Sequence, residues 1–209
     1  MRALFSFRKL AVSLAMFAIV SFGSALVANA DQVVINTPNS GLSATPGPYA
    51  LVTYVLNGSD IDVTVTMFAG FEAFGQGNGN NGIFGFNIVG SQAGLTVTNM
   101  PAGFTANLGG GQMDGFGNFD ITLSCCNPQN AVSGFSFTVS RAGGFSSASD
   151  LFEANANGAH FAIHIAPTNG NPTGFAADSG TEVPEPASLL LLGSGIASLA
   201  AGLRKRFKT

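Results

Sequence analysis

The sequence has no tryptophan, two histidines, two cysteines and very little charge in its central part. Residues 31–183 contain no lysine and one arginine, Arg141, against ten carboxylates, so this stretch has a formal charge of −9. Nucleic-acid affinity comes mainly from lysine and arginine side chains that neutralise phosphates. The composition therefore argues against a nucleic-acid partner. With its high apolar content, a chain of 209 residues predicts one globular unit.

Local motifs of catalysis are also missing. The sequence contains no G-x-S-x-G, no H-E-x-x-H and no C-x-x-C pattern. The carboxylates of a glycosidase can lie far apart in a sequence, so a secreted hydrolase without a local motif stays open as an alternative. We predict a non-enzymatic protein with no catalytic residues, no cofactor and no bound metal.

The positive charges are collected at the two ends of the chain. At the N-terminus the basic residues are Arg2, Arg8 and Lys9. An apolar run over 10–27 follows them, and Ala28-Asn29-Ala30 then supplies small residues at the positions that a signal peptidase recognises. This order predicts a helical signal peptide over 1–30, cut after Ala30, so that the mature chain begins at Asp31. An uncleaved membrane anchor is the alternative.

The C-terminus has three parts in a fixed order. Val183-Pro184-Glu185-Pro186 comes first, and an apolar span over 187–203 follows it. The chain then ends in a basic cluster that contains Arg204, Lys205, Arg206 and Lys208. The span 187–203 reaches roughly 26 Å as a transmembrane helix, enough for a thin hydrocarbon core. Because basic clusters tend to stay cytoplasmic, the rest of the chain is expected on the far side of the membrane. An ordinary single-pass anchor satisfies the same physics.

Together these three parts closely resemble the PEP-CTERM protein-sorting signal of Gram-negative bacteria over residues 183–208. The resemblance implies that exosortase, a membrane-embedded cysteine-protease-like enzyme, recognises Pro184, Glu185 and Pro186 and cuts near them. It also implies a passenger exported through the inner membrane, anchored transiently through residues 187–203, and then delivered to the cell surface or outside. Such proteins are linked to exopolysaccharide and biofilm. The expected partners are signal peptidase, exosortase, the membrane before processing, and exopolysaccharide.

Between the two ends, apolar residues alternate with polar residues in a period of two, which indicates β-strands. The clearest run is Ile61 to Met67, and further runs lie at 33–35, 49–56, 84–88, 95–98, 119–123, 135–139 and 161–165. We predict an all-β domain over 31–182, an antiparallel, jelly-roll-like β-sandwich with a phenylalanine-rich core. The longest predicted loops are 75–82 and 109–117, and 147–156 is a candidate short helix.

Three motifs have both a functional and a structural interpretation. Residues 77–82 spell G-x-G-x-x-G, but an alternating strand pattern follows them instead of a helix, so a loop is favoured over a nucleotide site. His160 and His164 would share a metal on a helix, whereas on a strand they sit roughly 13 Å apart, so surface or edge histidines are favoured. Cys125 and Cys126 can form a vicinal disulfide, stay free or link two chains.

The acidic residues allow one further interpretation. Asp60 and Asp62 share a strand face, and Asp114, Asn118 and Asp120 crowd one turn, an oxygen-rich arrangement that calcium prefers. The spacing matches no calcium motif, so solvated carboxylates are favoured. The leading hypothesis is a structural or adhesive protein of the cell surface or matrix. The alternative is a carbohydrate-binding module, with or without calcium, and a secreted hydrolase is the third.

Overall fold

The structure, a computed structural model, describes residues 30–75 and 82–183, without the side chains of 181–183. In these ranges the chain forms thirteen strands and three short 3₁₀ helices. The strands are β1 (Ala30–Pro38), β2 (Ala50–Asn57), β3 (Asp60–Met67), β4 (Phe71–Ala73), β5 (Phe84–Phe86), β6 (Thr96–Thr98), β7 (Thr105–Asn107), β8 (Gly111–Met113), β9 (Gly117–Phe119), β10 (Ile121–Ser124), β11 (Gly134–Ser140), β12 (Phe161–Pro167) and β13 (Gly174–Val183). The 3₁₀ helices are Ser40–Leu42, Pro128–Asn130 and Ala148–Leu151.

Eleven strands form one antiparallel sheet that curls into a nearly closed barrel. The order is β6-β11-β3-β2-β1-β13-β12-β5-β10-β7, and β4 pairs with β12 outside this path. An antiparallel bridge between Ala73 and Val132 joins the last residue of β4 to the segment that leads into β11. The remaining two strands, β8 and β9, form a separate hairpin.

The inside of the barrel is filled by the apolar positions of the alternating strands. Ile61, Val63 and Val65 of β3 are buried, whereas Thr64 and Thr66 between and beyond them are exposed. Phe84 lies near the centre of this core, with its ring stacked on Phe161 at 5.8 Å between centroids. Phenylalanine suits this position because it buries a large apolar surface without a polar group that needs a partner.

A second, smaller core lies on the outer face of β12 and β13. Met113 and Phe119 of the β8–β9 hairpin pack there against Ala162, Phe175 and Ala177. The hairpin approaches β5 so closely that a Cβ atom on Gly85 would lie 2.9 Å from Met113 Cγ. Both faces of β12 and β13 are therefore covered, which buries side chains that a half-exposed strand would leave in solvent.

The all-β, antiparallel prediction is confirmed, and the main difference is that one curled sheet carries eleven strands in place of two stacked sheets. The predicted run 119–123 is divided at Asp120, with Phe119 in the hairpin and Ile121 in the main sheet. The predicted loop 109–117 contains β8, and the helical part of 147–156 is the 3₁₀ helix Ala148–Leu151.

The predicted helices at the two ends of the chain, in 1–30 and 187–203, fall outside the described residues, apart from Ala30. Among the helices that the structure does describe, none has the length and apolarity to cross a membrane.

Candidate functional site

The predicted sorting signal begins where the last strand of the domain ends. Val183 is the final residue of β13, and it pairs with Gln32 near the start of β1. The next pair along the ladder joins Glu182 to Val33. Ala30, the residue after which the signal peptide is predicted to be cut, belongs to the same end of β1 and pairs with Val55 of β2. The two predicted processing points therefore lie side by side at one end of the sheet.

The last residues of β13 are held differently from the rest of the strand. From Gly174 to Ala177 the strand pairs with β12, as in Ala162 opposite Ala177. On its other side Ala176 and Ala177 also pair with β1. Beyond Asp178 the ladder to β12 has ended, and among the strands that the structure describes only β1 pairs with Glu182 and Val183. The strand thus changes from two neighbours to one before the sorting signal.

A β-bulge separates the two parts of β13. Asp178 pairs with Ile35 and Glu182 with Val33, so four residues of β13 advance against two of β1. Gly180 lies in this bulge with a φ of +76°, in the left-handed region that glycine enters without steric cost.

The carboxylate of Asp178 fixes the start of the bulge. Oδ1 accepts the backbone N–H groups of His160 and Phe161 at 2.9 and 2.8 Å, and Oδ2 accepts that of Gly180 at 2.9 Å. Nδ1 of His160 lies 2.8 Å from Oδ2, and the Asp178 side chain has no exposed surface. The ring of Phe152 stacks on His160 at 3.7 Å between centroids. A buried carboxylate is stable here because every contact comes from a hydrogen-bond donor.

The other histidine, His164 of β12, lies between apolar rings. The ring of His164 packs between Phe74 and Phe175, at 4.0 and 4.2 Å between centroids. Its Nδ1 atom is buried and has no hydrogen-bond partner among the described residues. Burial lowers the pKa of His164 to about 4, and the negative charge of Asp114 opposes that shift in part.

The prediction that the two histidines stand on a surface or an edge is wrong. β12 pairs with β13, β4 and β5, and His160 and His164 both pack against phenylalanine rings on its outer face. The covering rings are those of Phe152, Phe74 and Phe175, and no local pattern in the sequence indicates that they lie over this face.

Arg141, the one arginine of residues 31–183, forms a second polar cluster. It donates from Nε to the carbonyl of Gly144 at 3.0 Å, from one terminal nitrogen to the carbonyl of Val89 at 2.6 Å, and from the other to Asp150 Oδ2 at 3.1 Å. The guanidinium also lies over the ring of Phe145, 4.2 Å from its centroid. Since all three nitrogens have partners inside the domain, this arginine holds loops together.

The two cysteines are joined to each other in the structure, as a vicinal disulfide. Cys125 is buried against the main core, and the carbonyl oxygen of Cys126 accepts the backbone N–H of Gly75 at 3.1 Å. Gly75 and Ile83 flank the segment 76–81, which lies outside the described residues together with most of the G-x-G-x-x-G pattern. The disulfide-bonded pair therefore holds the start of the predicted loop 75–82 through the hydrogen bond to Gly75.

The acidic residues singled out for calcium are placed apart. Asp62 accepts hydrogen bonds from Thr138 at 2.7 Å and from Asn57 at 2.8 Å. Asp114 interacts with Asn39, and Asp120 accepts the backbone N–H of Ile88 at 3.3 Å. Within residues 30–75 and 82–183, no three histidine, cysteine or acidic side chains are grouped so that they could hold a metal ion.

Several predicted site residues lie outside the described part of the chain. They are Ala28, Pro184, Glu185 and Pro186, and the basic residues Arg204, Lys205, Arg206 and Lys208. Conversely, the role of Asp178 was not among the predictions. The Asp178-Ser179-Gly180 pattern is a signal that could have indicated it, since an aspartate often accepts a backbone hydrogen bond from two residues further on.

Comparison with known proteins assigns the end of the chain. The PEP-CTERM protein-sorting motif matches residues 182–206, and this match confirms the resemblance seen in the sequence. The matched segment overlaps the fold, because Glu182 and Val183 are also the last two residues of β13. No curated protein and no solved structure matches the chain. The motif implies a secreted protein that exosortase processes after a transient stay in the membrane.

Proposed function

We propose that this PEP-CTERM protein is a non-enzymatic, structural or adhesive component of the cell surface or of the exopolysaccharide matrix. Signal peptidase cuts after Ala30, and exosortase then cuts near Pro184, Glu185 and Pro186. The single observation that carries the proposal is the sorting motif over 182–206, directly joined to a folded domain.

The contacts inside the domain support a structural role. Three charged side chains each contact a segment that is distant in the sequence. Asp178 contacts His160 at 2.8 Å, and Arg141 donates to the carbonyl of Val89 at 2.6 Å. Asp62 accepts a hydrogen bond from Thr138 at 2.7 Å. Charged groups that are committed to such contacts stabilise the fold, and they need their partners because a buried charge without one is costly. A domain built in this way suits a protein that must persist outside the cell.

The test is the fate of the full-length precursor in its exporting cell. With exosortase present, we expect intact mass to show a released chain that starts at Asp31 and ends near Pro186, recovered with the surface or matrix fraction. Without exosortase, we expect a cell-bound chain that retains residues 204–208. Release of the same trimmed product from cells that lack exosortase would contradict the proposal.

A carbohydrate-binding module is the second candidate, and one surface favours it. The outer faces of β3, β6 and β11 carry exposed hydroxyl side chains, at Thr64, Thr66, Thr96, Thr98 and Ser136. Ser136 lies opposite Thr64 in the ladder, so hydroxyl groups of neighbouring strands stand next to each other. Hydroxyl groups both donate and accept hydrogen bonds, which suits a neutral polysaccharide.

This second candidate is tested on the released protein with purified exopolysaccharide and a glycan array. The variant Thr64→Ala/Thr66→Ala should lose binding, whereas Thr168→Ala, an exposed threonine beyond β12, should keep it. Repeating the assay with and without calcium shows whether the ion assists. Equal binding by the two variants and the native protein removes this surface from consideration.

A further inference from the structure

We propose that the folded domain restricts access to its own sorting signal, and that processing requires the last two residue pairs between β1 and β13 to open first. The pairs are Gln32 with Val183 and Val33 with Glu182. This inference rests on the proposed processing by exosortase. It adds that the rate of processing is set by a local opening in the substrate.

The sorting motif and the fold overlap at residues 182–183. The matched motif begins at residue 182, and the strand ends at Val183. A protease that binds an extended segment needs the backbone N–H and C=O groups of that segment for its own hydrogen bonds. In the folded protein, β1 already occupies one edge of Glu182 and Val183.

The number of paired neighbours differs along β13. Residues Ala176 and Ala177 have β1 on one side and β12 on the other, whereas Glu182 and Val183 pair with β1 alone among the described strands. Segments with few pairing partners open at a lower free energy than the centre of a sheet. Because β1 is held independently by β2, from Ala30 opposite Val55 to Ile35 opposite Ala50, the end of β13 can detach while β1 stays in place.

The hydrogen bonds of Asp178 limit how far this opening extends along β13. The buried carboxylate of Asp178 binds the backbone of His160, Phe161 and Gly180, and the bulge at Gly180 interrupts the ladder just after it. Separation of β13 from β1 that starts at Val183 therefore stops at Asp178, which its hydrogen bonds hold in place. The domain keeps its fold while the start of the motif becomes free.

The decisive experiment locks the pair that is proposed to open. Gln32→Cys with Val183→Cys joins β1 to the end of β13, since residues directly opposite in an antiparallel pair have the Cα separation that a disulfide needs. The matched control, Gln32→Cys with Thr53→Cys, joins β1 to β2 instead. Both are made in a Cys125→Ser/Cys126→Ser background, and Val183→Cys alone reports any effect of altering the motif itself.

Pulse–chase of the full-length precursors in cells with exosortase gives the readout. We expect the β1–β13 lock to be processed at least about tenfold more slowly than the Val183→Cys single variant, because the lock removes the open state, while the β1–β2 lock keeps the background rate. Preventing disulfide formation in the periplasm should restore processing of the locked variant. Equal rates for both locks overturn the inference, and they show that exosortase binds the motif with the β1–β13 pairs intact.

Amide hydrogen exchange of the native precursor tests the inference even if a locked variant does not fold. In the detergent-solubilised precursor, the amide hydrogens of Glu182 and Val183 should exchange at least about tenfold faster than those of Ala176 and Ala177. Equal protection overturns it. Cells that lack exosortase distinguish the two proposals. Processing in those cells contradicts the proposed function. Exosortase-dependent processing at the same rate with and without the β1–β13 disulfide contradicts the opening step alone.

Discussion

Nδ1 of His160 lies 2.8 Å from Oδ2 of Asp178, a carboxylate whose side chain is fully buried. The same carboxylate accepts three backbone N–H groups, from both sides of the β12–β13 junction. An aspartate that holds a histidine is familiar from catalysis, where it orients the ring. Here its other contacts all fix the backbone before the sorting signal, so the pair acts as a structural anchor.

Asp178→Asn should destabilise the domain by about 2 to 3 kcal/mol, because an amide places N–H donors opposite the donors of Gly180 or His160. Urea unfolding of the released protein measures the change. Glu153→Gln, at an exposed carboxylate, is the control and should stay within about 0.5 kcal/mol. Equal midpoints for the two variants would show that Asp178 is not an anchor.

Stability should fall as the solution is acidified through the range from pH 6.5 to about 4, because of His164. Burial lowers the pKa of its imidazole to about 4 in the folded state, below its ordinary value of 6.5. Between those values the unfolded chain binds the proton and the folded chain does not, so unfolding is favoured as pH falls. The contribution, on the order of 3 kcal/mol, is complete above pH 6.5 and is lost on the way down to about pH 4.

His164→Phe should flatten this pH dependence, since a phenyl ring fits between Phe74 and Phe175 and does not titrate. Unfolding curves recorded at pH 7, 5.5 and 4 for the variant and the native protein provide the comparison. The carboxylates contribute equally to both proteins, so only the difference between the two pH profiles is assigned to His164. Parallel profiles would rule out this origin of the acid sensitivity.

Arg141→Lys should cost about 2 kcal/mol of stability although the charge is kept, because one ammonium cannot replace three nitrogens aimed at separate partners. A double-mutant cycle with Asp150→Asn isolates the ion pair from the two carbonyl contacts. We expect Arg141→Lys to remain destabilising in the Asp150→Asn background. A full loss of its effect there would assign the whole contribution to the ion pair.

Gly85→Ala should destabilise the domain by about 1 to 3 kcal/mol, because the new methyl group meets the side chains of Met113 and Phe119. Thermal unfolding reports the loss. Gly109→Ala is the matched control, since its nearest contact would be an exposed asparagine side chain 3.4 Å away. If both variants melt together, the β8–β9 hairpin is not packed against β5 as described.

The strands with a clear period of two were predictable, and those without it were not. β3 and β11 alternate buried and exposed residues along most of their length, and both lie where the pattern predicts them. β13 was missed because Ala176, Ala177 and Asp178 are all buried, so its two faces do not differ in hydrophobicity. β8 was missed because three residues in a glycine-rich segment are too short to show a period.

The histidines show the limit of the same reasoning at the level of a site. Alternation places His164 of β12 and His160, which directly precedes that strand, on one face, and no local pattern in the sequence indicates that this face is covered. Its cover comes from Phe152, Phe74 and Phe175, which reach it from three other parts of the chain. Burial of this kind is set by contacts between distant segments, and no local pattern encodes it.

The sequence alone determined where this protein is sent and what kind of structure it forms. A terminal signal is recognised from the order of its motif, apolar span and basic end, and strand formation follows from a local period of two, so neither requires knowledge of distant contacts. Only the tertiary structure decided that Val183 pairs with Gln32 and that Asp178 stops the ladder before it. The pair of Val183 with Gln32 joins opposite ends of the domain, and the pairing of distant strands depends on how all the intervening strands pack.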